Sequence, residues 1–191
     1  MKKLIVLGAA LASAVAVQAA QIDWQIAKNG TVGYGGSAEA MPIYLLDANK
    51  TANVISAITA AGFDWQDSSK VLAITGVYDT MTSSTSELKK NTKVDVAGTG
   101  GNLGEMWSWQ ALIFDTDENG KAYYKISAVK TARIYQDGDQ TYGTPATAQF
   151  TALNFGSTST GWVAMSTVPE PTSGLLLLLG VAGLALRRRR A

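Results

Sequence analysis

The chain has 191 residues, room for one domain plus terminal extras, with 47% hydrophobic residues and a net charge of +1. It contains neither cysteine nor histidine, which excludes disulfides, a thiolate nucleophile, an imidazole general base and the usual zinc and copper sites. Catalysis would be left to carboxylates, lysines, tyrosines and hydroxyls, and folding to burial and hydrogen bonding alone.

At the N-terminus, Met1-Lys2-Lys3 gives a short positive region and Leu4 to Val17 is an uncharged stretch rich in Ala, Leu and Val. Val17-Gln18-Ala19 then offers the small residues that a signal peptidase reads. This order predicts a secretory signal peptide over residues 1–19, cut after Ala19 or Ala20. A buried first helix is the alternative, and the terminal position and the order of the three parts speak against it. From Ala20 to Val168 ten basic residues face fourteen acidic ones, a net charge of −4. The positive balance therefore belongs to the ends, and no basic patch is left to neutralise phosphates, so no nucleic-acid partner is expected.

Residues 20–167 alternate largely with period two between Gly, Asn-Gly and Asp-Gly turns, the pattern of an antiparallel β domain. "MPIYLLD" is a first strand candidate. Thr51 to Ala61 carries apolar residues at Val54, Ile55, Ile58 and Ala61, a helical spacing, with Asn49 or Thr51 as N-cap and Gly62 as stop. "VLAITGVYD" is a second strand candidate. The clearest unit runs from Gly104 to Tyr135, where Asn119-Gly120 suits a type I′ turn between two long strands. Such a turn puts Trp107, Trp109, Ala111 and Ile113 with Tyr124, Ile126, Ala128 and Ala132 on a core face. Ser108, Gln110, Lys125, Ser127, Thr131 and Arg133 fall mainly on the other. "TAQFTALNF" and "GWVAM" are later strand candidates. The expected fold is mainly β, an antiparallel β-sandwich-like domain with one short helix.

Little chemistry stands out in this domain. "DTDENG" at Asp115 to Gly120 matches the first half of a calcium loop, leaving Asp115 and Asp117 as a weak surface cation site. Its twelfth position is Ile126 where a bidentate Glu belongs, and its flanks read as strands, so a hairpin turn is the simpler reading. Trp107 and Trp109, two apart on one strand face, suit either burial in a core or a flat platform for a sugar, and burial is the plainer outcome. Asp64, Asp67, Asp137 and Asp139 lie in turns, where carboxylates stabilise local backbone. "GTGGNLG" at Gly98 to Gly104 lacks a preceding buried strand and a following helix and reads as a loop. No catalytic set and no cofactor are expected.

The C-terminus is tripartite. Val168-Pro169-Glu170-Pro171 is extended and exposed, because both prolines fix φ and disfavour helix before them. An uncharged run of thirteen residues follows: Gly174, Leu175, Leu176, Leu177, Leu178, Leu179, Gly180, Val181, Ala182, Gly183, Leu184, Ala185 and Leu186. As a helix it would be about 20 Å long, short of the ~30 Å hydrocarbon core. Arg187, Arg188, Arg189 and Arg190 cannot be desolvated in a core, yet their stems snorkel and extend the span. A basic cluster there places Ala191 in the cytoplasm and the domain outside.

These three parts in this order resemble the PEP-CTERM sorting signal of Gram-negative bacteria, over residues 168–191. The resemblance implies an exported protein, cut by signal peptidase, anchored transiently in the inner membrane by its C-terminal transmembrane helix, and processed near the triplet by an exosortase-type enzyme. Delivery to the cell surface or extracellular matrix would follow. For the cargo it implies nothing, and the reading from residues is non-enzymatic structural or adhesive cargo, with a carbohydrate-binding module that meets extracellular polysaccharide as the alternative.

Overall fold

A computed structural model describes residues 20–28, 33–35, 40–84, 86–145, 155 and 160–165. The signal peptide with Ala19, nearly all of the strand candidate "TAQFTALNF", and the sorting segment from Val168 to Ala191 lie outside the described residues. Ala20, the other candidate cleavage residue, is the first described residue, and its carbonyl accepts the Val96 amide at 2.7 Å.

In chain order the elements are β1 (Gln21–Ile26), β2 (Pro42–Asp47), a 3-10 turn (Ala48–Lys50), α1 (Thr51–Ile58), α2 (Ser68–Thr75), β3 (Gly76–Thr82) and β4 (Lys89–Asp95). A second 3-10 turn (Ala97–Thr99), β5 (Met106–Thr116), β6 (Ala122–Ile126), β7 (Lys130–Arg133) and β8 (Val163–Ala164) complete them. The domain is mainly β and its sheets are antiparallel. A six-stranded sheet runs β3-β2-β5-β6-β8, with β7 also paired to β5, and β1 pairs with β4 in a two-stranded sheet.

The large sheet is covered on both faces, which explains why β2 is apolar at nearly every position. Ile43 and Leu45 point into one cluster with Trp107, Trp109, Ala111 and Ile113, closed by Ile22, Trp24, Ile26 and Val94 from the small sheet and by Val96 just after it. Tyr44 and Leu46 point the other way, joining Leu112, Phe114 and Tyr124 beneath Val54, Ile58 and Val71 of the helices. Period-two alternation thus feeds two cores, the condition under which a strand loses its polar face.

Three details correct the sequence reading. The first is a second helix. "VLAIT" is the body of α2 and only "GVYD" is strand. Asp67 caps α2 by accepting the Ser69 amide at 3.0 Å, and Gly76 ends it at φ 85°. The second concerns α1, which stops at Ile58 and follows a 3-10 turn whose cap is Asp47, accepting the Asn49 amide at 3.0 Å. Neither Asn49 nor Thr51 is its N-cap.

The third lies in the long hairpin. Gly120 alone of its turn has positive φ, 78°, and the Gly120 amide donates to Asp117 O at 2.9 Å while the Asp117 amide donates to Lys121 O at 3.0 Å. This is a type I turn closed by a left-handed glycine, a three-residue loop, not the two-residue I′ turn. The odd length shifts the register by one, and a shift of one reverses the facing. Ile113 therefore sits opposite Lys125, and Phe114 opposite Tyr124, so Tyr124 and Ile126 share the helix-side core rather than the tryptophan face. The second arm is also broken: Ser127–Val129 separates β6 from β7, Ala128 is exposed, and buried Ser127 takes the Ala111 amide on its hydroxyl at 2.9 Å. "GWVAM" contributes only the two residues of β8.

Candidate functional site

β3 and β4 are joined by a short loop yet do not pair: β3 joins β2 in the large sheet and β4 joins β1 in the small one. The chain changes sheets here, and the parting strands leave a groove of about 710 Å³ lined by Tyr78, Asp79, Lys90, Asn91, Thr92 and Lys93 among others. Tyr78 is 78% exposed on its rim.

Asp79 is the half-buried carboxylate of this groove. The Trp24 indole N–H donates to its Oδ2 from the core side, and the Asn91 amide donates to both oxygens at 3.1 Å and to Thr80 O at 2.9 Å. Burial pushes the Asp79 carboxyl above its ordinary value, and the bonds from Trp24 and Asn91 oppose that. Through these bonds Asp79 pins the two strands where they separate.

The β4 wall carries a bulge. The ladder to β1 slips between Ile22 and Trp24, and Lys93 adopts φ 59°, the left-handed region that a lysine rarely visits. Buried Asp23 holds it there, accepting the Lys93 amide at 2.9 Å and the Tyr135 hydroxyl at 2.7 Å. Burial first, and then Asp23, raises the Tyr135 phenol well above its usual range, so it stays a donor. Lys93 also pairs with Asp137 through its ammonium at 2.7 Å. Neither Asp79 nor Asp23 was singled out in the sequence. An Asp inside an apolar strand, as in "GVYD" and "IDW", was the available signal.

The residues that were singled out take structural places. Trp107 and Trp109 are 3% and 2% exposed, and Trp109 meets Trp24 edge to face at 5.7 Å. Both are core, and the sugar-platform reading is corrected: neither ring is open to a ligand. Asp115 accepts the Tyr34 amide at 2.6 Å and the Thr116 amide at 2.7 Å. Asp117 accepts the Asn119 and Lys121 amides, both at 2.9 Å, as the hairpin reading requires. Among the described residues no group of three or more acidic side chains is placed to hold a metal. Beside this turn Tyr34 stacks on Tyr123 at 3.9 Å, and the hydrogen bond with Tyr34 leads the causes that push the Tyr123 phenol up to about 12. Asp139 accepts the Thr141 and Tyr142 amides and Asp67 the Ser69 amide, the expected backbone roles, whereas Asp64 forms an ion pair with Lys70 at 3.0 Å and Asp137 one with Lys93. Gly98 to Gly104 forms the second 3-10 turn and coil. Lys125, expected on an outer face, is buried beside the Trp162 ring, and burial lowers its pKa.

The chain leaves the described domain at Met165, which is 7% exposed and donates its amide to Ala122 O at 2.9 Å. Two positions later a match begins: residues 167–190 fit the PEP-CTERM protein-sorting motif. The chain carries a PEP-CTERM sorting signal. That motif implies export, membrane-associated sorting and processing by an exosortase-type enzyme, and it takes in the Pro169-Glu170-Pro171 triplet, the apolar run and Arg187 to Arg190. Among the described residues no helix is long and apolar enough to cross a membrane. No curated protein and no solved structure matches the chain.

Proposed function

We infer that this protein is exported, non-enzymatic cargo, structural or adhesive, that its PEP-CTERM signal holds briefly in the inner membrane and then hands to the cell surface or matrix. The single observation that carries the reading is the motif match at 167–190, which begins two positions after Met165, the last described residue of a β domain. The chemistry of the domain supports a non-catalytic role: the groove carboxylate Asp79 is engaged by Trp24 and Asn91, and Asp23 by Lys93 and Tyr135. With Trp107 and Trp109 in the core, a glycan-binding role loses the residues that suggested it.

The test separates the parts of the signal. In the proposed scheme the prolines present an extended peptide outside, while the arginines anchor a short span through charge and snorkelling. Replacing Pro169-Glu170-Pro171 by three alanines is expected to leave the protein inserted with its tail attached, followed by fractionation and mass. A variant processed and released like the parent would reduce Gly174 to Leu186 to an ordinary anchor.

A further inference from the structure

We propose that β8 is a clasp on the chain just before the sorting motif: the processing enzyme takes up the chain from about Met165 onward, so Trp162–Met165 must leave β6 before the tail is processed. The proposal rests on the sorting function above.

β8 ends the large sheet and pairs with β6 through Tyr123–Ala164 and Tyr124–Val163. Both of its residues are exposed, so the ladder itself is a weak hold. Its flanking residues grip opposite faces of the sheet. Met165 plugs the helix-side core, whereas Trp162 packs against the tryptophan-side core, with Lys125 5.9 Å over its ring and Tyr34 edge-on at 6.4 Å.

Pro169 follows Met165 by four residues. Fully extended, that length of chain spans at most about 14 Å. An extended peptide bound by strand addition makes main-chain hydrogen bonds along several residues, and in the proposed scheme the processing enzyme holds its substrate in this way. Four residues upstream of the triplet reach back to Met165, whose amide is committed to Ala122 and whose side chain is buried. A groove that encloses this peptide leaves no room for β6 behind it. Release is local, because the β2–β5, β5–β7 and β1–β4 ladders do not involve β8.

The chain has no cysteine, so a single engineered disulfide is unambiguous. The Met165 amide bonds to Ala122, which makes the adjacent Tyr123–Ala164 pair the closely spaced, non-hydrogen-bonded kind that a disulfide fits. Tyr123→Cys with Ala164→Cys, in the full chain in its native cells, would oxidise on export. Processing, followed by pulse labelling and tail mass, is expected to slow at least tenfold and to recover with reductant. The same lock carrying an eight-residue Gly-Ser insertion between Met165 and Ser166 should regain processing at no less than the parental rate, matching the insertion without the lock. A locked chain processed like the parent overturns the clasp. If the double variant fails to accumulate, the insertion alone decides: it should speed processing severalfold, and an unchanged rate overturns the proposal. Failure of the sorting function reads differently, because then the parent too would keep its tail.

Discussion

At the scale of single residues, the charged groups inside this domain hold backbone in place. Asp23 fixes the Lys93 bulge and Asp79 fixes the parting of β3 and β4, each through hydrogen bonds that offset its desolvation. For Asp79 the balance still favours the neutral form, since burial raises its pKa. A carboxyl with a raised folded-state pKa contributes its stability fully below the unfolded value, near 4, and loses it as pH rises through the folded value. Asp79→Asn keeps an oxygen for the Trp24 indole and removes the titration. The stability of the variant relative to the parent is therefore expected to climb as pH rises above the ordinary carboxylate value of about 4. Urea unfolding at several pH values checks this, and a difference that stays flat would contradict it. Measuring the difference cancels Asp67 and Asp139, whose lowered pKa values act in the opposite direction.

At the scale of elements, one glycine decides which core a strand feeds. Glu118-Asn119-Gly120 forms a three-residue loop because Gly120 supplies the left-handed closing position, and the resulting register puts Tyr124 under the helices and Lys125 beside Ile113. A Cβ at Gly120 meets nothing within 4 Å, so Gly120→Ala is charged only for its φ of 78°. The expected loss is about 1–2 kcal/mol by chemical denaturation, with Gly120→Asn losing less, since Asn tolerates this region.

This hairpin also shows how far the sequence could be read. Its first strand, the position of its turn and the burial of Trp107 and Trp109 followed from alternation and turn residues, which are local, whereas the break of the second arm into β6 and β7 did not. The face of Tyr124 did not, because "ENG" is compatible with two loop lengths that differ by one residue. α2 was misread for a related reason: "VLAIT" is a β-branched run, and its helical state is decided by the Asp67 cap, the Gly76 stop and a place for Val71 in the helix-side core. Asp79 as the pin of a groove was invisible for a third reason. Its partners Trp24 and Asn91 come from β1 and β4, a pair made across the chain, and no local pattern announces a long-range pairing.

At the scale of the whole molecule, the two-core β domain and the sorting motif are neighbours in sequence: the last described residue, Met165, is buried, and the motif begins at residue 167. The central claim, that the tail is a sorting signal and not a permanent anchor, is tested most directly by the intact mass of the protein recovered from the outside of the cell. The account predicts a species that lacks residues 1–19 and ends near Pro169-Glu170-Pro171, without Arg187 to Arg190. A surface or extracellular protein whose mass still includes the chain through Ala191 would contradict it.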